Sequence, residues 1–383
     1  MKNQLLLSAL LSGVLAGQIF AIDETPVKIS NTLRVGWSDN PYSLPQNEDD
    51  SFFVEDVLDL AFRASISDRT DITVKGRLRF DMDEEDDGIY PNFFGTLNHA
   101  FSSRLLFSLS DTFIMDDRNG TLSRPGQERV DFWRNTLNGD LTYLLGMRNR
   151  LSGFGKYGME RNDDGGEFYD YTRYEFGVSW GYDLVPQQTR TTLFAKHANV
   201  EFDGISGNHR ELNQEFIYAQ LDHTFSPTWQ GNVRGGATYT QRKFGTEKNT
   251  MDPLFGAGIV YTPSPRTRAN ADIDYSYEQT EAVDRGGRMA TQISLGIEHE
   301  LTARVTVKSK FRFSNSDYSE KDSTVGKSGN FNEKFWDWDT RVSYKLNRMH
   351  SLEAGYRYSE RESDNKNGNW TRNRVDIGWR VDL

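Results

Sequence analysis

Apolar and polar side chains alternate along most of the chain. Between residues 72 and 80, Ile72, Val74 and Leu78 take alternate positions with charged or hydroxylated residues. A period of two predicts β-strands with one apolar and one polar face. The same alternation runs through residues 58–64, 174–182, 269–277, 293–297, 305–313, 336–346, 352–358 and 375–383. After the N-terminal segment, no stretch shows an apolar helical period of comparable length, so we expect few helices.

Short turns and long polar loops separate these strands in regular succession. Eight turns are predicted at residues 67–70, 101–104, 137–140, 185–189, 226–229, 264–267, 301–304 and 346–350, and nine longer polar loops lie between them. Short turns on one side and long loops on the other are typical of outer-membrane barrels. The count gives eighteen antiparallel strands, with residues 371–383 closing on residues 29–38. Sixteen is the alternative, because residues 129–158 fit one long strand or a hairpin.

The N-terminus has the layout of a secretory signal peptide. Lys2 precedes an apolar run from Leu5 to about Leu15, and the small Ala21 precedes the first acidic residue. The run is shorter than the roughly 20 residues that a membrane-spanning helix needs. We therefore expect residues 1–21 to be removed and residues 22–383 to form a single domain.

Composition supports an all-β transmembrane barrel in the cell outer membrane. Aromatic residues make up 13% of the chain, which a disordered protein would lack. The net charge is −11 and no cysteine is present, so neither nucleic acid binding nor disulfide bonds are expected. A barrel needs an apolar face only towards lipid, which reconciles abundant aromatic residues with a polar average composition.

The predicted polar face carries both signs of charge. Eight candidate lumen-lining residues are Lys75, Arg77, Arg79, Asp272, Asp274, Lys308, Lys310 and Arg312. If the basic residues lie on neighbouring strands, they form a strip for anionic groups. The alternative is a generic hydrated wall with self-compensating charges.

No local pattern indicates an enzyme, a cofactor or a metal site. The six histidines are scattered over different predicted strands and turns, without a catalytic signature. Residues 83–88 match the first ligand positions of a calcium-binding loop, but Phe94 occupies the position of the glutamate that ends such a loop. We interpret this segment as a solvated acidic loop.

The C-terminal strand resembles the sorting signal that barrel-assembly machinery recognises. Asp376, Gly378, Val381 and Leu383 match its polar, glycine and alternating apolar positions, although phenylalanine is commoner at the last one. The resemblance implies that the assembly machinery and outer-membrane lipid are partners of the chain.

Residues 33–80 resemble the beginning of the beta-barrel porin type 2 family, and a fainter resemblance extends over the whole mature chain as a succession of hairpins. A first strand with Gly36 leads to Asp39 and Asn40, and a polar loop with Asp50 precedes two alternating strands. The resemblance implies an eighteen-stranded barrel that passes secreted exopolysaccharide together with a periplasmic polysaccharide-export protein. It carries over no catalytic or binding residues.

We therefore expect a passive conduit for polysaccharide. The first alternative is a general or selective diffusion porin for small solutes, and the second is a structural or adhesive barrel. A wide pore that is permanently open would breach the outer membrane. We therefore expect outer loops, with residues 39–51 and 318–333 as the longest candidates, to restrict the free barrel.

Overall fold

The computed structural model is a closed ring of eighteen antiparallel β-strands. It describes residues 27–41, 43, 50–82, 87–117, 131–162, 170–203, 209–243, 249–278, 287–318, 331–364 and 369–383. The strands are β1 (Val27–Ser38), β2 (Ser51–Ser67), β3 (Thr70–Met82), β4 (Asp87–Ala100), β5 (Leu105–Asp117), β6 (Asp131–Leu144), β7 (Asn149–Asn162), β8 (Asp170–Val185), β9 (Thr189–Asp203), β10 (His209–Ser226), β11 (Trp229–Arg242), β12 (Asn249–Ser264), β13 (Thr267–Glu278), β14 (Arg288–Glu300), β15 (Val305–Tyr318), β16 (Phe331–Lys345), β17 (His350–Ser363) and β18 (Trp370–Asp382). Within these ranges there is no helix long and apolar enough to cross a membrane.

Each strand pairs with its two sequence neighbours, and β1 closes the ring by pairing with β18. Ser30 lies opposite Asp382 and Ser38 lies opposite Arg374, so the closing ladder extends through most of β1. The amide of Leu383 donates to the carbonyl oxygen of Ile29 at 2.8 Å, which continues the pairing to the last residue. Eighteen strands and their closure are confirmed, and the alternative of sixteen is wrong.

One predicted turn is wrong. Residues 137–140 lie inside β6, and the chain reverses instead at residues 145–148, between β6 and β7. Gly146 has φ +119°, a conformation that glycine adopts without the steric cost of a side chain. Residues 129–158 therefore contain a hairpin, and the reversal occurs eight residues later than the asparagine–glycine pair suggested.

The ladder gives every strand an inner and an outer face. Residues directly opposite each other in an antiparallel pair share a face, so the two faces can be followed around the whole ring. The outer face carries exposed apolar side chains, among them Leu60, Phe176, Ile217 and Ile377. This is the surface that lipid requires.

Tryptophans of β16 lie on the outer face. Trp336 and Trp338 alternate with Asp337 and Asp339, which point inwards. An outward position fits side chains of an aromatic girdle at the membrane interface.

Glycines on the inner face let long side chains of neighbouring strands lie flat against the wall. The ring of Phe154 covers Gly177, and the side chain of Arg34 lies across Gly378 at 2.9 Å from where a Cβ atom would stand. Because a side chain that lies flat does not project into the lumen, these glycines keep the interior open.

Four predicted features lie wholly or partly outside the described residues. Residues 1–21, predicted to be the signal peptide, precede β1. Residues 83–86 of the acidic segment, most of residues 39–51 and residues 319–330 also fall outside the description.

We expect Gly36→Ala to destabilise the barrel at its closing seam. A Cβ atom there would collide with the ring of Phe53 and with the backbone oxygen of Val375 in β18. Overpacking of this kind costs about 1–3 kcal/mol. The measurement is the temperature at which the folded barrel loses its compact electrophoretic mobility in detergent.

Gly95→Ala is the matched control. No atom lies within 4 Å of the Cβ position at Gly95, so this variant should unfold at the wild-type temperature. Equal unfolding temperatures for the two variants would refute the proposed crowding at the seam.

Candidate functional site: the inner wall

All eight candidate lumen-lining residues lie on the inner face of the described strands. Lys75, Arg77 and Arg79 belong to β3, two aspartates belong to β13, and three basic residues belong to β15. The two basic ladders are separated by six steps around the ring, because β16, β17, β18, β1 and β2 lie between them. The sequence-based hypothesis of one strip on neighbouring strands is therefore wrong.

Most of these charges are compensated by a neighbour on the same face. Arg77 contacts Asp59 at 2.7 Å, Arg79 contacts Asp116 at 2.7 Å, and Arg312 contacts Asp337 at 2.7 Å. Lys308 contacts Glu298 at 2.9 Å, Arg234 is paired with Asp274, and Asp272 accepts a hydrogen bond from Asn270 at 3.0 Å. Lys75 and Lys310 are exposed and have no ion-pair partner among the residues described. The inner wall thus resembles the self-compensating alternative over β3, β13 and β15.

A connected network of arginines and carboxylates spans the closing seam. Its members are Arg34, Glu55, Arg341, Glu353, Arg374 and Asp376, from β1, β2, β16, β17 and β18. Arg341 makes a bidentate contact with Asp376 at 2.8 and 3.0 Å. Arg34 joins Glu55 of β2 to Glu353 of β17, at 3.3 Å from the latter. Three positive and three negative charges therefore hold five strands together with no net charge.

The residues predicted as an assembly signal occupy distinct places at this seam. Asp376 is a buried member of the network, and Gly378 leaves room for the side chain of Arg34. Val381 lies on the outer face, opposite Asn31 of β1. Their recognition by assembly machinery stays a prediction.

An apolar stretch of the inner wall, on β7 to β10, was missed by the sequence analysis. Phe194 and Tyr218 lie opposite each other and stack at 4.5 Å between ring centroids. Phe216 is the next inward residue of β10. Consecutive apolar letters, as in residues 193–195 and 216–219, were the available signal, since a strand with only one apolar face cannot produce them.

A cationic cluster lies beside these aromatic rings. The carboxylate of Glu175 forms ion pairs with the ammonium groups of Lys196 at 3.0 Å and of Lys156 at 4.0 Å. It forms a third ion pair with the guanidinium of Arg173. The side chain of Glu175 is 8% exposed, whereas those of Lys196, Arg173 and Lys156 are 19%, 31% and 39% exposed. One carboxylate is thus shared by three cations, and the cations are the groups that face the lumen.

Nearer the outer end of β9 and β10, the inner face is buried. Val200, Phe202 and Leu212 form a cluster with exposures of 4%, 3% and 0%, and Tyr171 packs against it. A strand face that borders open water would leave such side chains accessible. Other side chains therefore cover this part of the inner face, which we interpret as a narrowing of the bore.

All six histidines lie on the outer face. His99, His223 and His299 each share a hydrogen bond with a threonine hydroxyl of the preceding strand, at 2.8–2.9 Å. His197 and His209 pair with carboxylates of neighbouring strands at 2.6 and 2.9 Å. These contacts explain the histidines as parts of the outer surface, and the lumen receives no imidazole from them.

Comparison with known proteins identifies the kind of barrel. Residues 208–383 match a family model described as "Putative beta-barrel porin 2". These residues, which include β10 to β18, are similar to that porin family. The match confirms the expected resemblance, although the N-terminal residues on which that expectation was based lie outside the matched range. No curated protein matches the chain.

Solved structures share the fold at low sequence identity. OpdK of Pseudomonas aeruginosa, solved with vanillate, is 9% identical with a TM-score of 0.50, and the match covers 93% of this chain and 99% of that one. OccAB3 of Acinetobacter baumannii is 14% identical with a TM-score of 0.48, and the match covers 93% and 99%. The alcaligin outer-membrane receptor FauA of Bordetella pertussis is 12% identical with a TM-score of 0.41, covering 96% and 77%. The protein is an outer-membrane β-barrel that is porin-like over residues 208–383.

We expect strong coupling between Arg341 and Asp376 in a double-mutant cycle with Arg341→Gln and Asp376→Asn. Their side chains are 22% and 7% exposed, and the contact is bidentate, so the coupling should be about 1–3 kcal/mol. The measurement is the free energy of unfolding in urea, in lipid vesicles.

The matched control is the open pair Lys308 and Glu298, whose side chains are 53% and 50% exposed. Surface pairs of this kind contribute about 0–1 kcal/mol. If Arg341 and Asp376 coupled no more strongly than this control, their contact would not be what ties β16 to β18.

Proposed function

We propose that the barrel is a passive outer-membrane conduit for secreted exopolysaccharide, working with a periplasmic polysaccharide-export protein. The supporting observation is a closed eighteen-stranded wall whose inward charges are largely compensated in pairs. Barrels of this strand number are wide enough for an aqueous lumen. The described residues consist of wall strands and their connections, and no energy source for active transport is found among them.

The physics of the wall suits a hydrated polymer. A polysaccharide exchanges hydrogen bonds with water and with polar side chains throughout its passage, so transport requires many weak contacts rather than one deep site. Paired arginines and carboxylates provide such contacts without holding a counter-charge firmly. Transport is then driven by synthesis and export in the periplasm.

The narrowed region on β9 and β10 supports a conduit that is restricted when free. The apolar cluster of Val200, Phe202 and Leu212 lies near the outer end, above the polar middle of the wall. A wide pore that opens only on docking preserves the permeability barrier of the outer membrane. Opening of the pore would move the side chains of this cluster or the side chains that pack over them.

The same narrowing favours a second candidate, a diffusion porin for small solutes. In that case the bore at Val200 and Leu212 is a fixed size filter rather than a closed gate. The two functions differ in substrate size and in the need for a periplasmic partner, so they can be separated in cells.

We expect a clean deletion strain to lose polysaccharide from the medium and from the cell surface, with unchanged uptake of small sugars. The reason is that polymer has no other route out, whereas small solutes have other porins. Sugar analysis of both fractions and radiolabelled sugar uptake are the measurements, and a complemented strain is the control.

Normal polysaccharide with reduced uptake would contradict export and establish the diffusion porin. Purified wild-type protein in planar bilayers provides an independent check. The restricted conduit should show small or intermittent currents, and a large steady conductance would contradict it.

A further inference from the structure

We propose that the inner wall of β7 to β10 contains a binding site for a carboxylated sugar ring. The site combines the cationic cluster of Lys156, Arg173 and Lys196 with the aromatic rings of Phe216 and Tyr218. The inference deepens the proposed export function, on which it rests, by assigning the class of sugar that passes.

The register of the strands places the cationic and the aromatic side chains in adjacent rows across the inner face. One inner row runs Lys156, Glu175, Ala198 and Gln214; the next runs Phe154, Gly177, Lys196 and Phe216; the third contains Phe194 and Tyr218. Inward residues of one strand are two positions apart, or about 7 Å. One pyranose ring can therefore contact a cation and an aromatic side chain together.

The cations of this cluster are under-compensated, which distinguishes it from the network at the closing seam. At the seam, three arginines face three carboxylates, whereas here three cations share Glu175. Arg173 and Lys196 also line a cavity of about 450 Å³ that opens beside the cluster. That volume is in the range of small-ligand sites. The lining also contains Asp274 and Glu278, but these carboxylates are paired with Arg234 and Arg288. Arg173 and Lys196 are therefore the cations that an anionic group in the cavity would meet.

The aromatic side chains specify a ring rather than a bare anion. Phe216 and Tyr218 line the same cavity, and Lys196 lies 4.1 Å above the centre of the Phe216 ring. Aromatic rings offer a flat apolar surface on which the C–H face of a pyranose packs, while hydroxyl groups find partners such as Gln214. Phosphate or sulfate alone would gain nothing from these rings.

The chemistry of the site therefore fits a uronic acid residue. Its carboxylate accepts charge-assisted hydrogen bonds from the guanidinium of Arg173 or the ammonium of Lys196, and its ring packs beside Phe216. Such a residue can come from an acidic polysaccharide or from a free sugar acid. The shared ligand is the carboxylated ring, and the experiment separates the two sources.

The test is calorimetric titration of the purified full-length barrel in detergent micelles with an oligogalacturonate. We expect binding to the oligogalacturonate and no binding to a maltodextrin of equal length. The double variant Arg173→Gln/Lys196→Gln should bind about tenfold more weakly or worse, because two charge-assisted contacts are lost. Lys196→Gln alone serves if the double variant fails to fold, as judged by its electrophoretic mobility.

Glu175→Gln gives a prediction of the opposite sign. Removing the shared carboxylate releases all three cations, so this variant should bind the oligogalacturonate more tightly than the wild type. A purely structural role of the cluster would predict weaker binding or none.

The control is Lys308→Gln/Lys310→Gln, which removes two positive charges from the inner face of β15 and should retain wild-type affinity. Equal affinity for the neutral oligomer, equal losses in both double variants, or no binding by the wild type would each overturn the proposal. Galacturonate monomer is titrated in parallel. Comparable affinity per ring indicates a free sugar acid, and binding only of oligomers indicates a polymer.

The binding experiment and the export experiment can each give a negative result independently of the other. If the deletion strain secretes normal polysaccharide but the barrel binds oligogalacturonate, the site stands and the conduit does not. If export is lost but no binding is found, the conduit stands and the assigned sugar class is wrong.

Discussion

The closing ladder between β1 and β18 is the constraint on which the other features depend. In lipid every backbone amide and carbonyl needs a partner, so an open sheet of this length would expose two unpaired edges. The pairing of Ser30 through Ser38 with β18 removes both edges. It also joins the most distant parts of the sequence in one defined register. The compensated network spans this ladder, where a shift of two residues would separate the two pairs that cross it, Arg34 with Glu353 and Arg374 with Glu55.

Closure also fixes which side chains share the interior. A shift of one residue would move apolar side chains inwards and charges into lipid, so the alternating pattern and the register reinforce each other. Once inside, long side chains must fit a concave wall. The structure accommodates them with glycines on neighbouring strands, as at Gly177 beneath Phe154 and at Gly378 beneath Arg34. The closed ring of backbone hydrogen bonds thus determines which side chains point inwards, and these side chains in turn determine what lines the lumen.

Much of this could be predicted from sequence, because strand period and turn length are local properties. The eighteen strands, seven of the eight turns and the inward facing of all eight candidate residues follow from them. The eighth turn was misplaced because the asparagine and glycine at residues 138–139 outweighed the turn at Gly146. Pairings between strands such as Arg79 with Asp116 depend on register and side-chain length, which no local pattern contains. The aromatic wall was missed because apolar residues were assigned to lipid by default, although Phe194 and Tyr218 face the lumen.

The cationic cluster lies on the opposite side of the ring from the closing seam. In a ring of eighteen strands, β9 lies nine steps from β18, so Lys196 faces the closing seam across the lumen. The seam carries equal numbers of opposite charges and cannot cancel the excess on β7 to β10. On the proposed export function, a carboxylated chain passing between them would be drawn to one wall, where Phe216 and Tyr218 provide a surface for its rings. A neutral chain would experience no electrostatic pull of this kind. The asymmetry of the wall, more than its total charge, would then decide which polymer is favoured.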